Sequence, residues 1–242
     1  MELDNLSVVR ERLGAGVEVI RLNRPERRNA LNSATLGRLI SALEELGRDS
    51  ELRALVLSTS DSRAFCAGAD VAETLDYEGG VARMAALTQL YRTIDRFPVA
   101  TVAVCVGNCV GAGAELVAGC DLRVGGDNLK LAWAGARLGV PVGPARLSPL
   151  VGVSRAKDLI FTGRVVGMGE ADAMGLLHRT AAAADAETVA IEVAAMIAAQ
   201  SPTGVRVLKQ MFRELEATAD RVAYENELLM EFQEHGGGLP AG

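Results

Sequence analysis

The sequence has few imidazole groups, few aromatic residues and no block of basic residues. Of its 242 residues, two are histidine and one is tryptophan, and aromatic residues make up 4%. Lysine and arginine total 25 against 31 acidic residues, so the net charge is −6. No basic stripe of the kind found in nucleic-acid-binding proteins is present. We therefore expect no nucleic-acid partner.

Long apolar segments and paired cysteines are also missing. No apolar run reaches the roughly 18 residues that a membrane helix requires, and the first residues lack the basic and apolar regions of a signal peptide. Four cysteines (Cys66, Cys105, Cys109 and Cys120) do not form Cys-x-x-Cys pairs, which argues against a zinc site. We expect reduced cysteines, no metal, no membrane association and a cytoplasmic location.

What the sequence does contain is 49% hydrophobic residues in alternating strand-like and helix-like segments. Strand–helix units come first and helices come last, which predicts an α/β core with a helical tail. We expect a core over residues 1–185 and a C-terminal helical oligomerisation segment over residues 186–242. Its last residues, roughly eight, are expected to be flexible. Helices are predicted after Ser33 as N-cap and over residues 81–96.

The segment VCVGNCVGAGAELVAGCD (104–121) combines a small-residue strand, a glycine turn and a carboxylate. A dinucleotide fingerprint requires a third glycine where Leu116 stands, so that interpretation fails on the pattern. Gly111 and Gly113 can instead serve only a tight turn and close packing, with Glu115 complementing the helix dipole. Alternatively, N–H groups at the helix start can stabilise an oxyanion while Glu115 moves a proton. The residues alone leave the last two interpretations open.

Four motifs in order decide between them. They are NRPERRNALN, RAFCAGAD, GNCVGAGAELVAGCDLRV and RLSPLVGVSRAKDLIFTGRVVGMGEADAMGLLHR. In this order and spacing the sequence resembles the enoyl-CoA hydratase/isomerase (crotonase) family. The resemblance implies an α/β fold of the ClpP-like type, a spiral of repeated ββα units with a C-terminal helical segment. It also implies an acyl-CoA thioester substrate, no permanently bound cofactor, and a homotrimer or a hexamer built as a dimer of trimers.

The resemblance assigns the chemistry to three positions. The backbone N–H groups of Ala69, in CAGAD, and of Ala112, where the family usually has glycine, match the pair that polarises the thioester carbonyl and holds the enolate. Glu115 matches the first of the two glutamates that family hydratases use for acid–base catalysis. The expected function is therefore that of an acyl-CoA-processing enzyme of the enoyl-CoA hydratase/isomerase type.

The same resemblance implies contacts with coenzyme A. Arg27 and Arg28 match the segment that runs along the pantetheine and phosphates, and guanidinium groups suit phosphate. The backbone of Ala67 and Gly68 matches the positions that meet the adenine side. The family's further basic helix is missing at the C terminus, and Lys209 is a candidate to replace its contact.

One position departs from the family pattern in a way that bears on the reaction. The second glutamate lies in a segment like F-G-x-P-E-x-x-L-G, which reads LAWAGARLG here, with Gly135 at the glutamate position. Trp133 either fills the vacant space or belongs to the core. Alternatives to hydration are isomerisation with one carboxylate, other enolate reactions such as decarboxylation or thioester hydrolysis, and a non-catalytic acyl-CoA-binding homologue. Substitute acids are available after CAGAD: Glu73, Asp76 and Glu78. Asp70 is expected to cap the next helix.

Overall fold

The computed structural model describes residues 6–236 and 238–239. It contains a six-stranded sheet and a three-stranded sheet. The large sheet has the order β1 (Val8–Arg12), β2 (Val17–Leu22), β3 (Ala54–Thr59), β5 (Ala100–Cys105), β7 (Leu122–Gly126) and β9 (Arg179–Ala181). The small sheet has the order β4 (Ala64–Cys66), β6 (Asn108–Val110) and β8 (Lys130–Ala132). Of the strand pairs in the described residues, the β1–β2 hairpin is antiparallel and the others are parallel.

Three successive ββα units supply the small sheet and the strands β3, β5 and β7 of the large sheet. In each unit the first strand enters the large sheet, the second enters the small sheet, and a helix follows. These helices are α2 (Tyr77–Asp95), α3 (Ala112–Gly119) and α4 (Pro144–Val151), the last preceded by a short 3₁₀ helix (Gly135–Leu138). Helix α1 (Ser33–Gly47) follows β2. The predicted spiral of ββα units with helices at the end is confirmed.

Both faces of the large sheet are covered, as expected for parallel strands. Every residue of β3 is buried. One face packs against the leucine-rich sides of α1, α2 and α3. The other is covered by α7 (Ala186–Ala198), whose Ala186, Ala190 and Ala194 repeat every four residues and pack on the valines of the strands. Small side chains on one helix face allow this close approach.

The remaining helices are α5 (Val153–Thr162), α6 (Met168–Ala173), α8 (Pro202–Leu215) and α9 (Thr218–His235). Helix α9 runs back across α2 and α4, with Val222, Glu225, Leu229 and Gln233 on its buried face. Helix α8 buries Lys209 but leaves apolar side chains exposed. Within the described residues, no helix combines the length and apolarity needed to cross a membrane.

Five local predictions need correction or remain open. Helix α1 is capped by Asn32 rather than Ser33, since the Asn32 side chain accepts a hydrogen bond from the Thr35 N–H. Helix α2 begins at Tyr77, four residues earlier than predicted, and its cap is Asp76 rather than Asp70. The division at residues 185/186 stays a prediction, and the expected flexible end falls partly on residues 237 and 240–242, outside the described residues.

Candidate active site

Two loops meet at one edge of the small sheet. Because β4 and β6 are parallel neighbours, the CAGAD loop and the glycine turn leave the sheet at the same edge. A Cβ atom placed on Gly68 would lie 3.0 Å from the Val110 carbonyl oxygen and 3.7 Å from the Ala112 nitrogen. Gly68 has φ of 105° and Gly111 has φ of 54°, a region that L side chains rarely adopt. The glycines therefore allow the two loops to approach.

This approach brings two backbone N–H groups to the same place. Leu31 donates its N–H to the Gly68 carbonyl, and its carbonyl accepts from the Asp70 N–H. These two hydrogen bonds use the residues on either side of Ala69 and do not use the Ala69 N–H. Ala112 is the first residue of α3, where the helix provides no acceptor for the N–H. Among residues 6–236, no protein group accepts a hydrogen bond from either amide. Both donors are available to a ligand.

Charged side chains brace the Ala69 loop from two sides. The Asp70 carboxylate accepts a hydrogen bond from Arg24 Nη1 at 2.5 Å and another from the Ala72 N–H. Its pKa is lowered because these contacts outweigh the cost of burial. From α2, the buried guanidinium of Arg83 donates to the Asp70 carbonyl at 2.9 Å. The loop is thus held before any ligand binds, which is the condition for an effective oxyanion site.

Asn29 fixes the neighbouring PERRN loop. It is 1% exposed and has φ of 55°, in the region where asparagine is tolerated better than most residues. Its side-chain nitrogen donates to Thr59 Oγ1 and to the Ala64 carbonyl, and its oxygen accepts from the Arg24 N–H. A buried amide with three partners ties this loop to the ends of β3 and β4.

Glu115 lies one helical turn after Ala112 and is 1% exposed. Its Oε2 accepts a hydrogen bond from Arg146 Nη1 at 2.9 Å. The same Nη1 donates to Oε1 of Glu225, from α9, at 2.5 Å. The Arg146 guanidinium carbon lies 4.3 Å from the centre of the Tyr91 ring. Within the described residues, Glu115 Oε1, Arg146 Nη2 and Trp133 Nε1 are buried without a hydrogen-bond partner.

This environment favours the protonated form of Glu115. Burial raises the pKa of the Glu115 carboxyl to about 7, the negative charge of Glu225 acts in the same direction, and Arg146 and the Trp133 indole act against them. Arg146 offsets only part of the rise because its single positive charge is shared between two carboxyl groups. A carboxyl that titrates near neutral pH can both accept and release a proton.

The position of the second glutamate is closed by the backbone that surrounds it. A Cβ atom on Gly135 would lie 2.8 Å from the Val140 carbonyl oxygen and 3.0 Å from Val142 Cγ1. The space is therefore filled by Val140 and Val142. Trp133 lies elsewhere, buried against Gly143, with its indole ring among the groups that act on Glu115.

The substitute groups considered from the sequence have other partners or lie at the surface. Glu73 accepts hydrogen bonds from the N–H and hydroxyl of Ser33, Asp76 caps α2, and Glu78 is exposed in the first turn of that helix. Lys209, a candidate from the sequence for contacting coenzyme A, has partners within the chain. Its Nζ is paired with Asp121 at 2.7 Å and donates to the Val99 carbonyl at 2.9 Å, because α8 packs against β5.

The arginines of the PERRN loop are exposed. The Ala67 N–H donates to the Arg28 carbonyl at 3.0 Å, so this loop and CAGAD are joined. Arg28 lines a cleft of about 660 Å³ together with Arg63 and Lys130. Arg27 does not line this cleft, but its charge contributes to lowering the pKa of Asp70.

The four cysteines are free and buried, and burial raises the pKa of each thiol, to about 12 for Cys66. Thiols in this state are poor nucleophiles. Among the described residues, no cluster of three His, Cys, Asp or Glu side chains suited to a metal ion is found.

Sequence reasoning missed Arg146 and Glu225. A signal for Glu225 was present: it falls at helical spacing with Val222 and Leu229 on the buried face of α9, and an acidic residue on an apolar face is unusual. Its partner, 79 residues earlier in the chain, could not be read from local pattern.

Comparisons with known proteins show the family of this chain. The family profile of enoyl-CoA hydratase/isomerase matches residues 12–236. The chain belongs to the enoyl-CoA hydratase/isomerase family. It is 32% identical over 238 residues to a short-chain-enoyl-CoA hydratase of Clostridium acetobutylicum, covering 96% of this chain and 90% of the relative.

Solved structures in this family share the fold. The enoyl-CoA hydratase of Bacillus anthracis superposes with a TM-score of 0.81 at 26% identity, covering 98% of this chain and all of the other. An enoyl-CoA hydratase/isomerase of Xanthobacter autotrophicus gives a TM-score of 0.86 at 23% identity over 97% of this chain and 89% of the other, a likeness of fold. The protein is an acyl-CoA-processing enzyme of the hydratase/isomerase type. The relatives do not favour the alternative of a non-catalytic acyl-CoA-binding homologue.

Proposed function

We propose that the enzyme acts on an enoyl-CoA thioester by moving a proton with one carboxyl group, Glu115, while the N–H groups of Ala69 and Ala112 hold the thioester oxygen. The observation that carries the proposal is the Glu115 carboxyl itself: buried, with Oε1 unpartnered among the described residues and a pKa raised to about 7. Gly135 supplies no second carboxylate, and its surroundings leave no room for one.

The proposed reaction follows from what each group can do. The two amides polarise the thioester carbonyl, which acidifies a proton on the acyl chain. Glu115 takes that proton, the electron pair passes into the thioester as an enolate held by the amides, and Glu115 returns the proton at another carbon. The net result is a shifted double bond, with no water consumed. Preorganised donors of this type contribute about 3–4 kcal/mol each to the stabilisation of the developing charge.

The coenzyme A portion is proposed to lie along the PERRN and CAGAD loops. Arg28 faces a cleft with Arg63 and Lys130, which supplies positive charge for phosphate groups. Arg27 stands exposed on the same loop. The backbone of Ala67 and Gly68, next to the amide of Ala69, is proposed to contact the adenine side. The proposed reaction uses only groups of the protein and atoms of the substrate. Coenzyme A enters the site as part of the substrate.

A homotrimer, or a hexamer of two trimers, is proposed to form through α8. Its exposed face carries five large apolar side chains: Val207, Leu208, Met211, Phe212 and Leu215. Apolar area of this extent at a helix surface favours a protein contact. Replacing Phe212 by Asp is expected to give monomers in sedimentation analysis, and an unchanged assembly would exclude this face. A cytoplasmic location is also proposed, supported by the four free thiols.

The test uses the parent enzyme, Glu115→Gln, and Glu227→Gln as a matched control, since Glu227 is an exposed glutamate of α9. Each is incubated in deuterated water with 2-enoyl- and 3-enoyl-CoA esters of several chain lengths, and products are read by mass spectrometry. Deuterium uptake and a shifted double bond, lost only in Glu115→Gln, support the proposal. Addition of water by the parent indicates hydration and refutes the single-carboxyl isomerisation. Binding without turnover identifies a non-catalytic protein.

A further inference from the structure

We infer that Glu225, on α9, is a positioning residue: it shares Arg146 with Glu115 and thereby leaves Glu115 as the carboxyl of the pair that exchanges a proton. This inference rests on the proposed function of Glu115. It assigns a role in the site to the C-terminal helix, which the sequence alone connected with oligomerisation.

The two carboxyl groups are held very differently. Glu225 Oε2 accepts the N–H groups of Gly143 at 3.0 Å and Ala145 at 2.9 Å, and its Oε1 accepts Arg146 Nη1. Glu115 receives Arg146 Nη1 at Oε2, and among the described residues its Oε1 has no donor. Three N–H donors, one of them charged, favour the charged form of Glu225, whereas that of Glu115 is favoured by Arg146 and, more weakly, by the Trp133 indole. The proton of the pair is therefore expected on Glu115.

The position of Glu225 strengthens this asymmetry. Gly143 and Ala145 lie at the start of α4, where unpaired N–H groups and the helix dipole favour an anion. Glu225 has a side chain 5% exposed, and that of Arg146 is 4% exposed. With both oxygens used, Glu225 fixes the guanidinium in place and is not itself free to take a substrate proton.

The balance of charges in the site explains why Glu225 raises the pKa of Glu115. The titratable and charged groups that act on Glu115 or on the neighbouring Tyr91 of α2 are Arg146 on α4, Glu225 on α9 and Cys66 on β4. Burial raises the pKa values of the tyrosine and the cysteine, so both stay neutral. Two carboxyl groups thus face one guanidinium. With Glu225 charged, Arg146 is already balanced, and ionisation of Glu115 leaves a net negative charge in a buried site.

The experiment compares the parent with Glu225→Gln, Glu225→Asp and the control Glu227→Gln in two measurements. The first is the pH dependence of kcat/KM for the best enoyl-CoA substrate. Glu225→Gln removes the competing charge, so the acidic inflection is expected to move down by about one pH unit or more, a tenfold change in proton affinity. Glu225→Asp keeps the charge and is expected to keep the inflection of the parent, whereas a merely structural role predicts lower kcat with no shift.

The second measurement uses no substrate, and its decisive variant, Glu115→Gln, leaves α9 unaltered. Carbon-13 NMR of glutamate-labelled parent enzyme is expected to show one carboxyl titrating near neutral pH, and this signal disappears in Glu115→Gln. If a carboxyl signal still titrates near neutral pH in Glu115→Gln, the proton resides on Glu225 and the inference is wrong. This test does not depend on whether Glu225→Gln folds. An unmoved profile in a folded Glu225→Gln also overturns it. Full activity of Glu115→Gln refutes the proposed function instead.

Discussion

Replacing Glu115 by Gln is expected to stabilise the protein at alkaline pH while abolishing turnover. The substitution keeps the shape of the side chain and leaves an amide oxygen to accept from Arg146. It removes the charge that Glu115 acquires above neutral pH in a site where Arg146 is shared with Glu225. In this respect the variant resembles the protonated parent at every pH.

The magnitude follows from the pKa of Glu115, which burial raises from 4.5 to about 7. Because the folded form binds the proton more tightly than the unfolded chain, the contribution of Glu115 is fully present below pH 4.5 and is lost as pH rises through 7. Each pH unit corresponds to about 1.4 kcal/mol, so the parent loses about 3 kcal/mol across this window that the variant keeps.

Urea denaturation of the parent and Glu115→Gln at pH 4.5, 6 and 8.5 measures this difference, with Glu227→Gln as the control. Comparing the variant with the parent cancels the other groups that titrate. The difference is expected to be near zero at pH 4.5 and to reach about 3 kcal/mol in favour of Glu115→Gln at pH 8.5. A difference that does not change with pH would show that Glu115 is not a destabilised acid, and the electrostatic reasoning above would be wrong.

Three further predictions concern the framework of the site. Ala112→Pro removes one amide donor at the first helical position, where proline is well tolerated; kcat is expected to fall about 100- to 1,000-fold with the fold intact by circular dichroism, while Ala112→Gly keeps the N–H and retains activity. Gly135→Glu does not create hydratase activity, because its Cβ meets the Val140 carbonyl; it is expected to lower the free energy of unfolding by about 1–3 kcal/mol, and water addition by this variant would contradict the reasoning. Asn29→Ala loses three buried hydrogen bonds and is expected to cost about 2–4 kcal/mol in urea denaturation; a cost below 1 kcal/mol would count against a bracing role.

The sequence predicted the fold and the backbone positions of the site, but it did not predict which charged groups surround Glu115. The order of strand and helix periods predicted an α/β core with a helical tail, and the resemblance to the crotonase family predicted the ββα spiral and assigned the two amides to Ala69 and Ala112. These features are local, since a turn, a cap or a strand depends on neighbouring residues. The pairing of Arg146 with Glu225 depends on how α9 crosses α4, which no local pattern specifies. For the same reason the pairing of Lys209 with Asp121, which lies 88 residues earlier and just before β7, could not be read from local pattern.

The crossing of α9 over α4 also has a consequence for the order in which the protein acquires its activity during synthesis. Residues 8–151 contain both sheets apart from β9, the two amides and Glu115, and they leave the ribosome first. Until residue 225 follows, Arg146 has Glu115 as its partner, and the start of α4 lacks its anion. The negative charge that helps to raise the pKa of Glu115 and the anchor for the start of α4 therefore both arrive with α9. The charge environment of the proposed proton-transfer group is complete only when this helix docks.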